Sequence, residues 1–294
     1  MIDLGIIRTA LFVPGNRLER LDKALAAGAD VVIIDLEDAV PPAQKRQTRK
    51  GVSQKLRETP GRKIIVRLNG IDTLEFEPDL AAVTGPNLSG LLVPKIESAG
   101  DIDRIHKAMV GAESAAGLEA GTVPLIALIE TAKGVDNVTQ IAAAQTEPAR
   151  LYTMAFGAAD YTLDLGIEIT SSGEELLYAR SRLPIACRAH ELAPPIDTPF
   201  MLDLKDLPAL ETDALRAKQL GFMGKLCIHP NQIEPVNRIF SPGPEEVAQA
   251  EKVIKAFAES EAKGLGAMQV DGKFVDLPVV ERARRVLALD KAGN

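Results

Sequence analysis

A (β/α)₈ barrel is the fold this sequence predicts, and three observations predict it. Eight short apolar runs alternate with stretches of helical periodicity. Charged residues gather just past the ends of those runs, on the rim where parallel α/β folds bind ligands. The chain of 294 residues also exceeds the roughly 250 that such a barrel needs. A doubly wound open sheet is the alternative arrangement of the same elements.

Taken in order, Thr9 to Val13 is the first strand, closed by the turn Pro14-Gly15-Asn16. Arg17 to Ala27 repeats Leu18, Leu21 and Leu25 at helical spacing, and Gly28 ends it. Val31 to Ile34 is the second strand, with Asp35-Leu36-Glu37-Asp38 at its exit, and Pro41-Pro42 opens a helix rich in Lys45, Arg46, Arg49 and Lys50. Lys63 to Val66 is the third strand, ending at Arg67; Leu74 to Val83 is helical; Gly90 to Val93 is the fourth strand, leading to Pro94-Lys95. A helix from about Ala99 to Ala112 and a loop from Ala115 to Gly121 follow. The fifth and sixth strands are Pro124 to Ile129 and Leu151 to Phe156, joined by a crossover helix from Gly134 to Ala144. Gly173 to Leu192 is a long helix, Pro194 to Asp197 a short seventh strand, Ala209 to Leu220 a helix ended by Gly221, and Gly224 to Ile228 the eighth strand.

Residues 1–228 are therefore the expected barrel and 229–294 a C-terminal extension. Within the extension, Gln232 to Phe240 and Glu245 to Lys263 read as helices, Gly264-Leu265-Gly266 breaks the pattern, and Pro278 to Leu289 is a last helix. Met268 to Asp276 reads as a hairpin with Asp271-Gly272 at its turn. So small a hairpin is marginal by itself and is expected to pack on a neighbouring subunit.

Composition narrows the function. Trp is absent and aromatic residues make up 4%, which disfavours base-stacking platforms, and the net charge of −7 disfavours broad phosphate-backbone binding. No nucleic-acid partner is expected. No apolar run spans a membrane and no signal-peptide pattern begins the chain, so no membrane partner is expected either. Cys187 and Cys227 suit a reduced, cytoplasmic protein without disulfides. Three histidines leave little for a zinc site.

The chemistry concentrates at the strand exits. Glu130 and Asp160 follow adjacent strands, and two hard carboxylates suit Mg²⁺, which keeps water or substrate oxygens in its other positions. The competing reading makes them helix N-terminal caps. Glu37 and Asp38 could hold the cation's waters, or be ordinary loop acids. Arg67 interrupts an apolar run and requires an anion, either a structural carboxylate or a substrate oxygen. Gly157-Ala158-Ala159-Asp160 lacks bulk, so its amides could approach a bound carboxylate. Lys95 and Lys225 offer a rival Schiff-base mechanism. Arg17, Arg20 and Lys23, with Lys45, Arg46 and Arg49, could meet the phosphates of an acyl carrier or be solvated helix faces.

The motifs LFVPGNRLER (11–20), GADVVIIDLEDAV (28–40), VRLNG (66–70), PKIESAGDI (94–102), LIETAKGV (128–135), FGAADYTLDLG (156–166), GFMGKLCIHPNQI (221–233) and DGKFVDLP (271–278) occur in this order. Together they make the chain closely resemble the citrate lyase β-subunit-like branch of the HpcH/HpaI aldolase superfamily. The resemblance implies a (β/α)₈ barrel and Mg²⁺-dependent cleavage or formation of a C–C bond in a coenzyme A thioester, giving an acyl-CoA and a 2-keto acid. Citryl-CoA, malyl-CoA and citramalyl-CoA lyases are members. It implies Glu130 and Asp160 as metal ligands, Arg67 as the substrate-oxygen binder, Glu37 and Asp38 as the pair positioning metal-bound waters, and the region of Arg17 and Arg20 as a coenzyme A contact. Asp276 resembles the acid/base that some lyases take from an adjacent subunit, so a homo-oligomer, trimer or hexamer, is expected. A non-catalytic keto-acid-binding subunit is the alternative.

Overall fold

The computed structural model describes residues 2–261 and 268–293. Eight parallel strands close into a barrel in sequence order: β1 (Thr9–Pro14), β2 (Val31–Asp35), β3 (Ile64–Arg67), β4 (Gly90–Val93), β5 (Leu125–Ile129), β6 (Leu151–Phe156), β7 (Ile196–Asp197) and β8 (Gly224–Cys227). β8 pairs back onto β1 through Thr9–Lys225 and Leu11–Cys227, which completes the ring. The barrel expected from the alternation of apolar runs and helices is the fold observed.

Strand alternation sorts the side chains. Every strand contributes to one buried cluster: Ala10, Val31 and Ile33, Ile65, Leu92, Ile126 and Leu128, Ala155, Ile196 and Leu226. Residues that meet from all eight strands fill the lumen, and their alternates face the helices. The same parity fixes what lies above the lumen layer. Asp35 follows Val31 and Ile33, Arg67 follows Ile65, and Glu130 follows Ile126 and Leu128, so all three point inward at the C-terminal mouth.

The helices α1 (Leu21–Leu25), α2 (Lys45–Glu58), α3 (Phe76–Val83), α4 (Ala99–Ala115), α5 (Ala132–Asp136), α6 (Val138–Ala142), α7 (Ala158–Leu165), α8 (Leu177–Ala189) and α9 (Leu207–Leu220) connect the strands. Each longer one buries a stripe, such as Ile102, Ile105 and Met109 of α4. Gly221, the expected end of its helix, closes α9 in the left-handed region at φ 105°, and Ser98 and Asp101 form a capping box on α4. The expected single crossover helix after β5 is instead α5 and α6, broken at Asn137, whose side-chain amide donates to the Glu97 carbonyl at 2.9 Å. Side-chain competition for backbone groups of this kind is not visible in apolar periodicity.

The chain divides into two compact units, 1–237 and 238–294. In the second, α11 (Pro244–Glu261) and α12 (Leu277–Gly293) pack with the antiparallel hairpin β9 (Met268–Val270) and β10 (Lys273–Val275) around Val253, Phe257, Val270, Val275 and Val280. Helix α10 (Ile233–Phe240) spans the division. The expected break at 264–266 lies outside the described residues. No helix among those described is long and apolar enough to cross a membrane.

On the far side of the barrel from its mouth, Arg150 and Glu113 form a fully buried bidentate pair at 2.7 and 2.9 Å. Glu113 also accepts the amides of Gly121 and Val123 and so ties α4 to the start of β5. Removing one partner of such a pair leaves a buried charge unmatched. Glu113→Gln is therefore expected to lower stability by about 3–5 kcal/mol in urea unfolding.

Candidate functional site

The mouth of the barrel holds a cavity of about 430 Å³ whose lining includes Phe12, Asp35, Asp38, Arg67, Glu130, Ala158, Ala159 and Asp160. Its centre is an ion pair. Asp35 and Arg67 are register partners across β2 and β3. Arg67 donates Nε to Asp35 Oδ1 and Nη2 to Asp35 Oδ2, both at 2.7 Å. This fork matches the carboxylate edge and fixes the guanidinium. The third nitrogen, Nη1, faces Glu37 at 3.1 Å and Asp38 at 3.2 Å, while the guanidinium carbon lies 5.1 Å from the centre of the Phe12 ring. Burial opposes the charge on Arg67, but Asp35 holds its pKa above the usual arginine value. Burial likewise opposes ionisation of Asp35, and the bonds from Arg67 overcome it and hold the carboxyl below its usual range.

The loop after β2 is shaped from behind. Lys45 Nζ donates to the carbonyls of Leu36 and Glu37, each at 3.0 Å, and to Asn69 Oδ1 at 2.5 Å. Asn69 bonds Asp79, which in turn accepts from Arg49 Nε at 2.7 Å. Two of the basic residues considered for an acyl carrier, Lys45 and Arg49, are thus committed to holding the acidic loop. Arg17 and Arg20 remain exposed after β1, with Arg17 paired to Glu19 at 2.7 Å.

Two further carboxylates, Glu130 after β5 and Asp160 in α7, line the same cavity. Glu130 is 3% exposed, and its Oε1 accepts the backbone N–H of Lys95 at 3.1 Å. Gly157 makes room for it: a Cβ there would lie 2.6 Å from Glu130 Oε2. Asp160 sits in the first turn of α7, and Lys95 Nζ lies 2.7 Å from Glu37 Oε1 and 3.7 Å from Asp160 Oδ2. Burial, then Glu37 and Asp160, push Glu130 up to about 8. Burial also raises Glu37, outweighing Arg67 and Lys95, and Glu37 Oε2 has no hydrogen-bond partner despite its nearness to Arg67.

Five carboxylates (Asp35, Glu37, Asp38, Glu130, Asp160) therefore share two cations, Arg67 and Lys95. Among the described residues no three His, Cys, Asp or Glu side chains form a complete metal cage. Mg²⁺ does not require one, since one or two carboxylates with water and substrate oxygens suffice. A buried carboxyl reluctant to ionise beside other acids is what an added divalent cation would relieve, so the donor set fits such an ion.

Of the residues expected from sequence, Glu37, Asp38, Arg67, Glu130, Ala158, Ala159 and Asp160 come together here. The Ala158 amide is not open to a ligand as expected, because it donates to Thr198 Oγ1 at 3.0 Å. Asp276 belongs to the second unit, between β10 and α12, where it accepts from the Val279 amide at 3.3 Å. Lys225 is corrected as a Schiff-base candidate. Leu226 points into the lumen, so Lys225 points outward, where it is fully buried between Asp197 at 2.5 Å and Asp213 at 2.7 Å. Asp35 was missed, although the lumen parity of β2 and the facing Arg67 were both available to find it.

A closed parallel barrel whose mouth carries carboxylates suited to a divalent cation beside a fixed guanidinium has the arrangement of an enzyme that stabilises oxyanions on small acids. The sequence profile described as HpcH/HpaI aldolase/citrate lyase matches residues 8–230. A citrate lyase subunit beta of Leuconostoc mesenteroides subsp. cremoris is 37% identical over 289 residues, covering 98% of this chain and 94% of that protein. An L-malyl-CoA/β-methylmalyl-CoA lyase of Cereibacter sphaeroides is 32% identical, covering 95% and 93%. A crystal structure of CitE from Mycobacterium tuberculosis in complex with magnesium, acetoacetate and coenzyme A superposes with a TM-score of 0.78 at 32% identity, covering 98% of this chain and 100% of that one. The chain belongs to the HpcH/HpaI aldolase/citrate lyase family, and these relatives make it a carbon–carbon lyase.

The close seat of Glu130 on Gly157 generates a prediction. Gly157→Ala should displace the Glu130 carboxylate with the far-ultraviolet circular dichroism spectrum unchanged, and if that carboxylate is a ligand of a bound Mg²⁺ the affinity in calorimetric titration should fall about 10–100-fold.

Proposed function

We propose that the protein is a Mg²⁺-dependent lyase that cleaves or forms the C–C bond of a 3-hydroxyacyl-CoA thioester such as citryl-CoA, with a 2-keto acid and an acyl-CoA on the other side. The observation that carries this reading is the convergence of Glu130 and Asp160 on one cavity with Arg67, where burial and neighbouring acids hold Glu130 up to about 8. Malyl-CoA or citramalyl-CoA is the alternative substrate, supported by the malyl-CoA lyase relatives.

Glu130 and Asp160 would hold the ion, and Glu37 and Asp38 would orient its water. Bound there, Mg²⁺ would supply Lewis-acid polarisation of the substrate's carboxylate and hydroxyl or keto oxygens. Arg67 lines the cavity with its guanidinium locked by Asp35, so it would not need to reorganise to stabilise charge that develops on a substrate oxygen. In the cleavage direction a base takes the hydroxyl proton, the C–C bond breaks to give the keto acid, and the thioester fragment leaves as an enolate that is then protonated. Asp276 of another copy of the chain is the base in this reading, by resemblance. Arg17 and Arg20, exposed after β1, would meet the coenzyme A phosphates. The protein would act in the cytoplasm as a homo-oligomer, a trimer or hexamer; its two free, buried cysteines suit a reducing compartment.

A panel of acyl-CoA thioesters assayed with and without EDTA tests the reading. Activity that survives complete metal removal would refute it. Arg67→Met should lower kcat about 10²–10³-fold, as loss of an oxyanion donor does. Glu130→Ala and Asp160→Ala should each abolish the metal-dependent turnover. A protein that binds Mg²⁺ and keto acid yet turns over no thioester would be the non-catalytic subunit.

A further inference from the structure

Lys95 is an unexplained residue of this site. It follows β4 and Pro94 and adopts φ 55°, in the left-handed region that a lysine seldom occupies. Such backbone persists only where its surroundings hold it. Here they do so at both ends of the residue. The backbone N–H donates to Glu130 Oε1 at 3.1 Å, and the side-chain Nζ lies 2.7 Å from Glu37 Oε1 and 3.7 Å from Asp160 Oδ2. One residue thereby joins the acids that follow β2, β5 and β6.

The two cations of the mouth differ in freedom. Arg67 is held by a two-point fork and its side chain is 11% exposed. The Lys95 side chain is 47% exposed, on a flexible stem whose ammonium is strongly hydrated and can return to water. We propose that Lys95 is a positioning residue that acts as a displaceable counter-ion: its ammonium neutralises Glu37 and Asp160, beside Glu130, and competes with the divalent cation for this cluster of acids. The proposal rests on the cation site at Glu130 and Asp160. It also assigns the left-handed backbone a purpose, since that conformation lets the amide hold Glu130 in place when the ammonium withdraws.

The test uses the full chain stripped of metal, with Mg²⁺ titrated calorimetrically and Tm measured with and without saturating Mg²⁺. Lys95→Met should lower the metal-free Tm and bind Mg²⁺ about 10-fold more tightly, a coupling of ordinary size. The two proteins should converge in Tm once saturated. Lys95→Arg keeps the charge and should bind Mg²⁺ no more tightly than the wild type. Lys95→Gln carries the same test as Lys95→Met if the methionine variant does not fold. Mg²⁺ affinity that is unchanged or weaker in the neutral variants overturns the proposal, as does equal tightening by Lys95→Arg. If the wild type binds no Mg²⁺ at all, the cation site itself falls, a result distinct from a wild type that binds and a neutral variant that gains nothing.

Discussion

Arg67 and Asp35 face each other across the β2–β3 ladder, and the mouth of the barrel is organised around that pair. The fork commits two nitrogens of the guanidinium to one carboxylate and leaves the third turned toward Glu37 and Asp38. A charge this buried is tolerable only when matched, and the matching also removes its rotational freedom. In the proposed reaction this donor would therefore be in place before any substrate arrives, the condition under which electrostatic stabilisation of a transition state is largest.

Lumen parity divides the strand charges into two kinds. Inward-pointing ones, Asp35, Arg67 and Glu130, rise from an apolar floor into the cavity. Outward-pointing ones are structural. Lys225 of β8, Asp197 of β7, Arg180 of α8 and Asp213 of α9 form a buried network of two cations and two acids. Burial opposes ionisation of Asp213, but Lys225 and Arg180 pull its pKa down to about 2. β7 has only two residues in the ladder, so these bonds between β7, β8 and the covering helices supply order that backbone pairing there does not.

The acids of the mouth outnumber its cations, and the site is held in that condition by neighbours that leave no slack. Gly157 lets Glu130 seat against the backbone after β6, and Lys45 and Asn69 hold the loop that carries Glu37. Rigid placement of partly mismatched charge is the arrangement the proposed cation site requires.

Sequence alone determined a parallel sheet covered by helices on both faces, because eight apolar runs separated by helical spacing must bury both sides of their strands; the pairing of β8 back onto β1 closed it into the barrel rather than the open sheet. Sequence also determined which strand ends carry Arg67, Glu130 and Asp160, since a charge ending an apolar run is visible in one dimension. Tertiary structure decided the rest, because partners come from different strands and loops. It chose Asp35 over Glu37 and Asp38 as the clamp of Arg67, and turned Lys225 away from the mouth. It also engaged the Ala158 amide with Thr198, forty residues on, and split the helix after β5 at Asn137. Local pattern records burial and period, whereas a hydrogen bond between residues distant in the chain is settled only when the barrel closes and brings their ends to one place.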